Sequence, residues 1–177
     1  AKISKENGAN VPFIRPKNLA TDIAKQEDAI MHAMNFLKVN DKKYDIIVVL
    51  VPTTPLRTSK EIDECIYQLH SNEEQKSIFT VRECDHTPLQ ANILPENNSM
   101  KNFVPKKYKW LNRQEMPVYY QLSGSVCVSE WDVFIKEKTF LNDYTYAFIT
   151  DNISGLDIDN EVDFKLAEIY MQKKISE

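Results

Sequence analysis

Two aspartates one residue apart, Asp157 and Asp159, stand out among the residues whose types and spacing suit chemistry. On extended chain a period of two puts both carboxylates on one face and turns Leu156 and Ile158 to the other. Such a pair can hold one Mg²⁺, a hard cation that takes one or two protein carboxylates and fills its shell with water and phosphate oxygens. The same stretch also reads as an acidic approach to a helix, with Asp159 or Asn160 capping and Asp163 facing the positive end of the dipole. A second group is Val51-Pro52-Thr53-Thr54-Pro55-Leu56-Arg57, which follows an apolar strand. Ligands of open α/β sheets gather at the carboxyl ends of strands, so Thr53, Thr54 and Arg57 are candidate contacts to an anion. A proline-stiffened turn with a solvated arginine is the plainer alternative. The segment Phe13 to Asp22 again runs from strand end to helix start, and Arg15 could meet a base or phosphate with its planar fork. Arg113-Gln114 and Gln121 to Val126 read only as loop, then strand. His32 and His70 fall in helices and His86 in a loop, so no Ser/His/Asp or Cys/His arrangement supports covalent nucleophilic catalysis.

The elements that must position these residues alternate in type. Ala1 to Asn7 reads as a helix tail capped by Gly8, and Val11 to Ile14 as a short strand. Thr21 or Asp22 is expected to cap a helix with an Ile23, Ile30, Met34, Leu37 stripe. Ile46 to Val51, the longest apolar run, reads as an internal strand covered on both faces. Thr58 to Glu61 has capping-box spacing, and Ile62, Cys65, Ile66 and Leu69 give the next helix one apolar stripe. Ser77 to Val81, Gly124 to Ser129 and Thr145 to Thr150 are strand candidates, and Asn160 caps a last helix carrying Val162, Leu166, Ile169 and Tyr170. Alternation of this kind argues for an α/β domain with a mostly parallel sheet. No repeat or flexible linker divides residues 1–177, which are read as a single domain. Residues 90–122, broken by Pro95, Pro105 and Pro117, form an excursion from it. Lys106-Lys107-Tyr108-Lys109-Trp110 within it suits a phosphate or nucleic-acid strip, a solvated loop or a dimerisation arm.

Composition narrows the function classes. The 177 residues carry a formal net charge of −4, so nothing global draws nucleic acid or an anionic membrane to the chain. The apolar run is far short of the roughly 20 residues a membrane helix needs. Cys65, Cys84 and Cys127 are scattered and odd in number, and with no signal-peptide pattern they read as reduced cytoplasmic thiols. Glycine is scarce, 3 residues in all, where an average share of about 7% would give roughly 12. Neither a G-x-G-x-x-G nor a Walker loop is present, so any phosphate must be held by other local groups.

Taken in order, the segments resemble the acylneuraminate cytidylyltransferases, or CMP-sialic acid synthetases, and their pseudaminate and legionaminate relatives. The resemblance is carried by Val11-Pro12-Phe13-Ile14-Arg15-Pro16 through Asp22, Pro52-Thr53-Thr54-Pro55-Leu56-Arg57, Arg113-Gln114, Ser123-Gly124-Ser125-Val126, and Asp157-Ile158-Asp159 through Asp163-Phe164 with Ala167-Glu168. It implies a Rossmann-like nucleotide-diphosphosugar transferase fold and a reaction between CTP and a nine-carbon keto sugar acid that gives a CMP-sugar and pyrophosphate. By the resemblance, Asp157 and Asp159 hold catalytic Mg²⁺; Arg15, Asp22, Ala24, Gln26, Thr53 and Thr54 approach the nucleotide; and Arg57, Arg113 and Ser123 approach the sugar. Arg113 would reach the partner subunit's pocket, which implies a homodimer joined by the excursion. Val51, Gln90, Ser123 and Cys127 depart from the residues usual in the family. The family's opening strand and phosphate loop have no counterpart here, so the chain is expected to lack N-terminal strands and to have little activity by itself. A non-catalytic homologue serving as a dimerisation or binding module is the alternative, and a related transferase acting on an eight-carbon acid such as Kdo is a third. Nucleic-acid and membrane partners are not expected.

Overall fold

The computed structural model describes residues 1–40, 42 and 44–176, with side chains through 173. A short helix, α1 (Lys2–Glu6), stops at Gly8, whose φ of +86° suits glycine. α2 (Gln26–Val39) packs Ala29 and Met34 inward. The β-branched run forms β1 (Ile46–Val49), and α3 (Ser59–Ser71) follows its loop. Then come β2 (Ser77–Glu83), β3 (Tyr120–Glu130), α4 (Trp131–Glu137), β4 (Thr145–Ile149) and α5 (Glu161–Ser176).

The sheet has the order β1-β3-β2-β4. The α/β reading holds, but the sheet is mixed: β3 runs antiparallel to β1 and to β2, and only the β2–β4 ladder is parallel. The reason lies in the connections. A parallel return needs a crossover element, which α3 supplies between β1 and β2, whereas residues 84–119 contain only two 3₁₀ turns, so β3 comes back reversed. β1 therefore pairs with β3 alone and sits at an edge of the described sheet, not inside it as its apolar run suggests. It is nonetheless packed on both faces. Ile46 and Val48 join Cys65, Leu69, Ile78, Val126 and Val128 under α3, while Ile47 and Val49 join Met34, Cys127, Trp131, Phe134 and Phe140 beneath α2 and α4.

β3 is irregular where it matters for the site. Gly124 adopts φ +66° and the β2–β3 register shifts between Phe79 and Val81. Thr80 fills the gap: its hydroxyl donates to the carbonyl of Val126 (3.1 Å) and accepts from the Val126 N–H (3.0 Å) and the Ser125 hydroxyl (3.1 Å). A bulge bends a strand, and here it redirects the first half of β3.

Two N-terminal expectations change. Residues 11–14 form no strand; instead Phe13 stacks on α2, its ring 5.0 Å from His32 and 4.9 Å from Phe36. Neither Thr21 nor Asp22 caps α2, because the Thr21 carbonyl closes a turn with Ala24 N–H (3.1 Å) and the helix starts only after Lys25, leaving Ile23 94% exposed. Among the described residues, no helix is long and apolar enough to cross a membrane.

Candidate functional site

The carboxyl ends of β1, β2 and β4 and the start of β3 share one end of the sheet, as the pairing of Val81 with both Leu122 and Ile149 requires. Loops leaving the strands there carry most of the chemistry-bearing residues. The β1 loop is cross-braced by Arg57. Arg57 Nη1 donates to the carbonyls of Val51 (2.6 Å) and Thr54 (2.7 Å), to Thr54 Oγ1 (2.7 Å) and to the Ser125 carbonyl (3.3 Å). Thr54 is fully buried. Desolvation lowers the Arg57 pKa from its ordinary value, and the nearby Glu61 carboxylate opposes that shift. α3 begins with the expected capping box: Thr58 Oγ1 accepts from Glu61 N–H (3.2 Å), and Glu61 Oε2 accepts from Thr58 N–H (2.8 Å).

The loop after β4 is organised from both ends. Asp151 Oδ1 accepts from the N–H groups of Ile153 (2.8 Å) and Ser154 (2.9 Å), which winds the chain into a turn. Gly155 then passes so close to Thr150, Ser123 and Arg82 that a Cβ would lie 2.9, 3.0 and 3.2 Å from their atoms. At the far end Asn160 caps α5, its Oδ1 accepting from Val162 (2.8 Å) and Asp163 (3.1 Å) N–H groups. Asp163 Oδ2 answers by accepting from Asp159 and Asn160 N–H at 3.1 Å each. Between these anchors the Ile158 N–H donates to the Thr53 carbonyl at 2.8 Å and ties this loop to the β1 loop.

Asp157 and Asp159, which flank Ile158, are exposed, and neither carboxylate has a hydrogen-bond partner among the described residues; capping falls to Asn160 and Asp163. Both line a cavity of about 600 Å³ together with Asp163, Arg82, Asp85, Gln121, Asn152 and Tyr170. Among the described residues four aspartates against one arginine make it acidic. Among the described residues no three His, Cys, Asp or Glu side chains cluster as metal ligands, so no protein-only cage exists. A hard cation held by two carboxylates and completed by a substrate's phosphate oxygens fits this donor set.

No protein-family model matches the chain. It is 30% identical to the N-acylneuraminate cytidylyltransferase of Escherichia coli O18:K1:H7 over 97% of its length and 39% of that enzyme. It is 27% identical to the pseudaminic acid cytidylyltransferase of Campylobacter jejuni strain 81-176, over 95% of this chain and 72% of the relative. The CMP-N,N'-diacetyllegionaminic acid synthase of Legionella pneumophila matches at 27%, over 97% and 73% of the respective lengths. Over nearly its whole length the chain is similar in sequence to these three nucleotidyltransferases. It spans well under half of the E. coli enzyme and about three quarters of the other two. Its α/β fold with one mixed sheet is consistent with a Rossmann-like transferase.

The remaining sequence-derived residues fall in several separate places. Thr53 is exposed beside Ile158, whereas Thr54 and Arg57 are turned inward to build the loop. Ser123 is buried beneath Gly155, with its hydroxyl 3.4 Å from the Gly155 carbonyl. Arg113 Nη2 donates to the Asp85 carbonyl (2.6 Å) of its own chain and lines a second depression of about 340 Å³ that shares Asp85 with the acidic cavity. Arg15, Asp22 and Ala24 are outside the acidic cavity, and Gln26 lines a separate pocket of about 170 Å³ with Val51, Gly124 and Cys127. Sequence reasoning missed Arg82, Gln121 and Asn152. The signal for Arg82 was its period-two relation to Ile78 and Thr80 at the end of a strand.

Proposed function

We propose that this chain carries the cytidylyl-transfer site of a CMP-nonulosonate synthase, which joins CTP to a nine-carbon keto sugar acid and releases pyrophosphate. The Ile158–Thr53 hydrogen bond carries the reading, because it brings the two-acid loop against the strand-end loop where a triphosphate would lie. Asp157 and Asp159 would hold Mg²⁺, which when bound supplies neutralisation of the charge that builds on the phosphate oxygens. The protein's own part is positioning. Arg57 and Glu61 fix the two loops. Acceptance of an eight-carbon acid is decided by the same assay run with Kdo.

A homodimer suits the surface: Tyr120, Leu122 and Ile149 are 49%, 58% and 60% exposed on one sheet face, next to the 84–119 excursion. A cytoplasmic setting suits both CTP and three free cysteines. Production of CMP-sugar from CTP, Mg²⁺ and a panel of nonulosonic acids, read by chromatography, tests the reading. Thermal stabilisation by CTP that requires Mg²⁺ is expected to accompany it, by about 2.7 kcal/mol at a hundredfold excess over Kd. A chain that forms no product and gains no Mg²⁺-dependent stabilisation from CTP would be the non-catalytic homologue, a reading favoured by the inward turn of Thr54 and Arg57.

A further inference from the structure

We infer that Arg82 determines acid specificity: its guanidinium, with Asn152 beside it, holds the carboxylate of the sugar acid at the wall of the acidic cavity. The inference rests on the cytidylyl-transfer reading and adds a residue to it. Among the described residues Arg82 is the one basic side chain lining that cavity, and the side chain is only 18% exposed. Its stem lies under Gly155, where the lack of a Cβ leaves room for Arg82 Cδ. Gln121, with its amide oxygen facing the guanidinium, accepts from Nε (2.9 Å) and Nη2, so the plane is fixed from behind. Nη1 donates to Asp85 Oδ2 at 3.0 Å. Of the five N–H donors of a guanidinium, this leaves one on each terminal nitrogen, the pair that grips a carboxylate end-on.

Asp85 already shows that a carboxylate is accepted here. Its Oδ2 meets Arg82 and its Oδ1 meets Asn152 Nδ2 at 3.4 Å. Asp85 is 61% exposed in its side chain and itself lines the cavity, so its contact with Nη1 leaves the guanidinium open to the cavity. The acids Asp157, Asp159 and Asp163 across the cavity repel a second anion unless a cation intervenes, which leaves the arginine wall as the place for the sugar's own charge.

The test compares the wild-type chain, Arg82→Gln and Arg82→Lys, with the acid and with its C1 carboxamide as substrates. Loss of a charge-assisted hydrogen bond predicts that Arg82→Gln raises KM for the acid about 10- to 100-fold. KM for CTP is expected to stay within about twofold, with Arg82→Lys intermediate. Discrimination between acid and amide is expected to collapse in Arg82→Gln, a change that a merely structural role would not produce. An unchanged KM for the acid, a rise confined to CTP, or undiminished discrimination overturns the assignment while leaving the transfer function intact. A wild-type chain that neither turns over nor binds any such acid by calorimetry overturns both. Should Arg82→Gln fail to fold, Arg82→Lys with the amide comparison gives the same decision.

Discussion

Glu61 and Thr150 join the start of α3 to the end of β4: the Thr150 hydroxyl donates to one Glu61 oxygen while the other accepts from the Thr58 N–H at 2.8 Å. Both side chains are buried, at 9% and 5% exposure, so the carboxylate is satisfied entirely by protein. Removing it leaves the Thr58 N–H and the Thr150 hydroxyl without this acceptor. Glu61→Ala is expected to cost about 2–3 kcal/mol and Thr150→Val about 1–2 kcal/mol in urea denaturation. The double variant should cost less than the sum by about 1 kcal/mol; strict additivity would show that the bond contributes nothing.

Arg57 makes a sharper prediction, because four acceptors converge on one nitrogen. Lysine keeps the charge but not the planar fork, so Arg57→Lys should lose about 1–3 kcal/mol of stability. The Thr53 carbonyl belongs to the same loop, so amide exchange at Ile158 should quicken in this variant more than exchange at Val126 in the sheet core. Equal protection at both amides would separate the loop from the acids it is said to position.

Asp157 and Asp159 are exposed and without hydrogen-bond partners among the described residues, so their replacement should leave the ligand-free protein alone. Asp157→Asn with Asp159→Asn is expected to shift ligand-free stability by no more than about 0.5 kcal/mol. The same variant should abolish Mg²⁺-dependent stabilisation by CTP. A shift that survives would move the metal to other groups.

The thiols give a pH prediction. Burial pushes Cys127 up to about 12, and burial reinforced by Glu61, Cys127 and Glu64 pushes Cys65 up to about 12. Their folded values lie above the ordinary value of 9.0, so the folded state holds these protons longer than the unfolded chain does. Their contribution is complete below pH 9 and is lost as pH rises toward 12. Half-buried Cys84 should therefore be alkylated first at pH 8, with Cys65 and Cys127 reacting only on unfolding, as peptide mass mapping would show. Replacing Cys65 and Cys127 together by alanine should flatten the alkaline limb of the stability curve.

How much was legible in the sequence depended on whether the signal was local. The Thr58–Glu61 capping box, the Asn160 cap and β1, β2, β4 all follow from neighbours within a few residues, and all formed. The reversal of β3 did not follow, because direction is set by the 84–119 connection, whose lack of a crossover helix is a property of the whole segment. The Arg15 turn misled in the other direction: its β-rich letters look like a strand, yet Phe13 finds His32 and Phe36 on α2 and no ladder partner. In the site, Asp157 and Asp159 were visible from spacing, whereas Arg82 and Gln121 meet only because the Gly124 bulge bends β3 toward β2. Arg57 reads as a candidate anion contact from its charge at a strand end, and the oxygens that surround its Nη1 are not visible in the sequence.

Gly155 links the fold to the acidic cavity most tightly. Its φ is ordinary, so conformational freedom does not explain it; space does. An alanine methyl would sit 2.9 Å from Thr150 Cγ2, 3.0 Å from Ser123 Oγ and 3.2 Å from Arg82 Cδ. Thr150 is held by Glu61 and Ser123 belongs to the sheet, so neither yields, and the long Arg82 stem is the part able to move. Overpacking of this kind costs about 1–3 kcal/mol. Gly155→Ala is therefore expected to lower stability by that amount and, by displacing Arg82, to raise KM for the sugar acid while KM for CTP holds. The combination Gly155→Ala with Arg82→Ala should recover part of the lost stability, because alanine has no Cδ to occupy the contact. If the pair is no more stable than Gly155→Ala alone, the methyl clashes with Thr150 and Ser123 instead, and Gly155 shapes the loop without reaching the arginine.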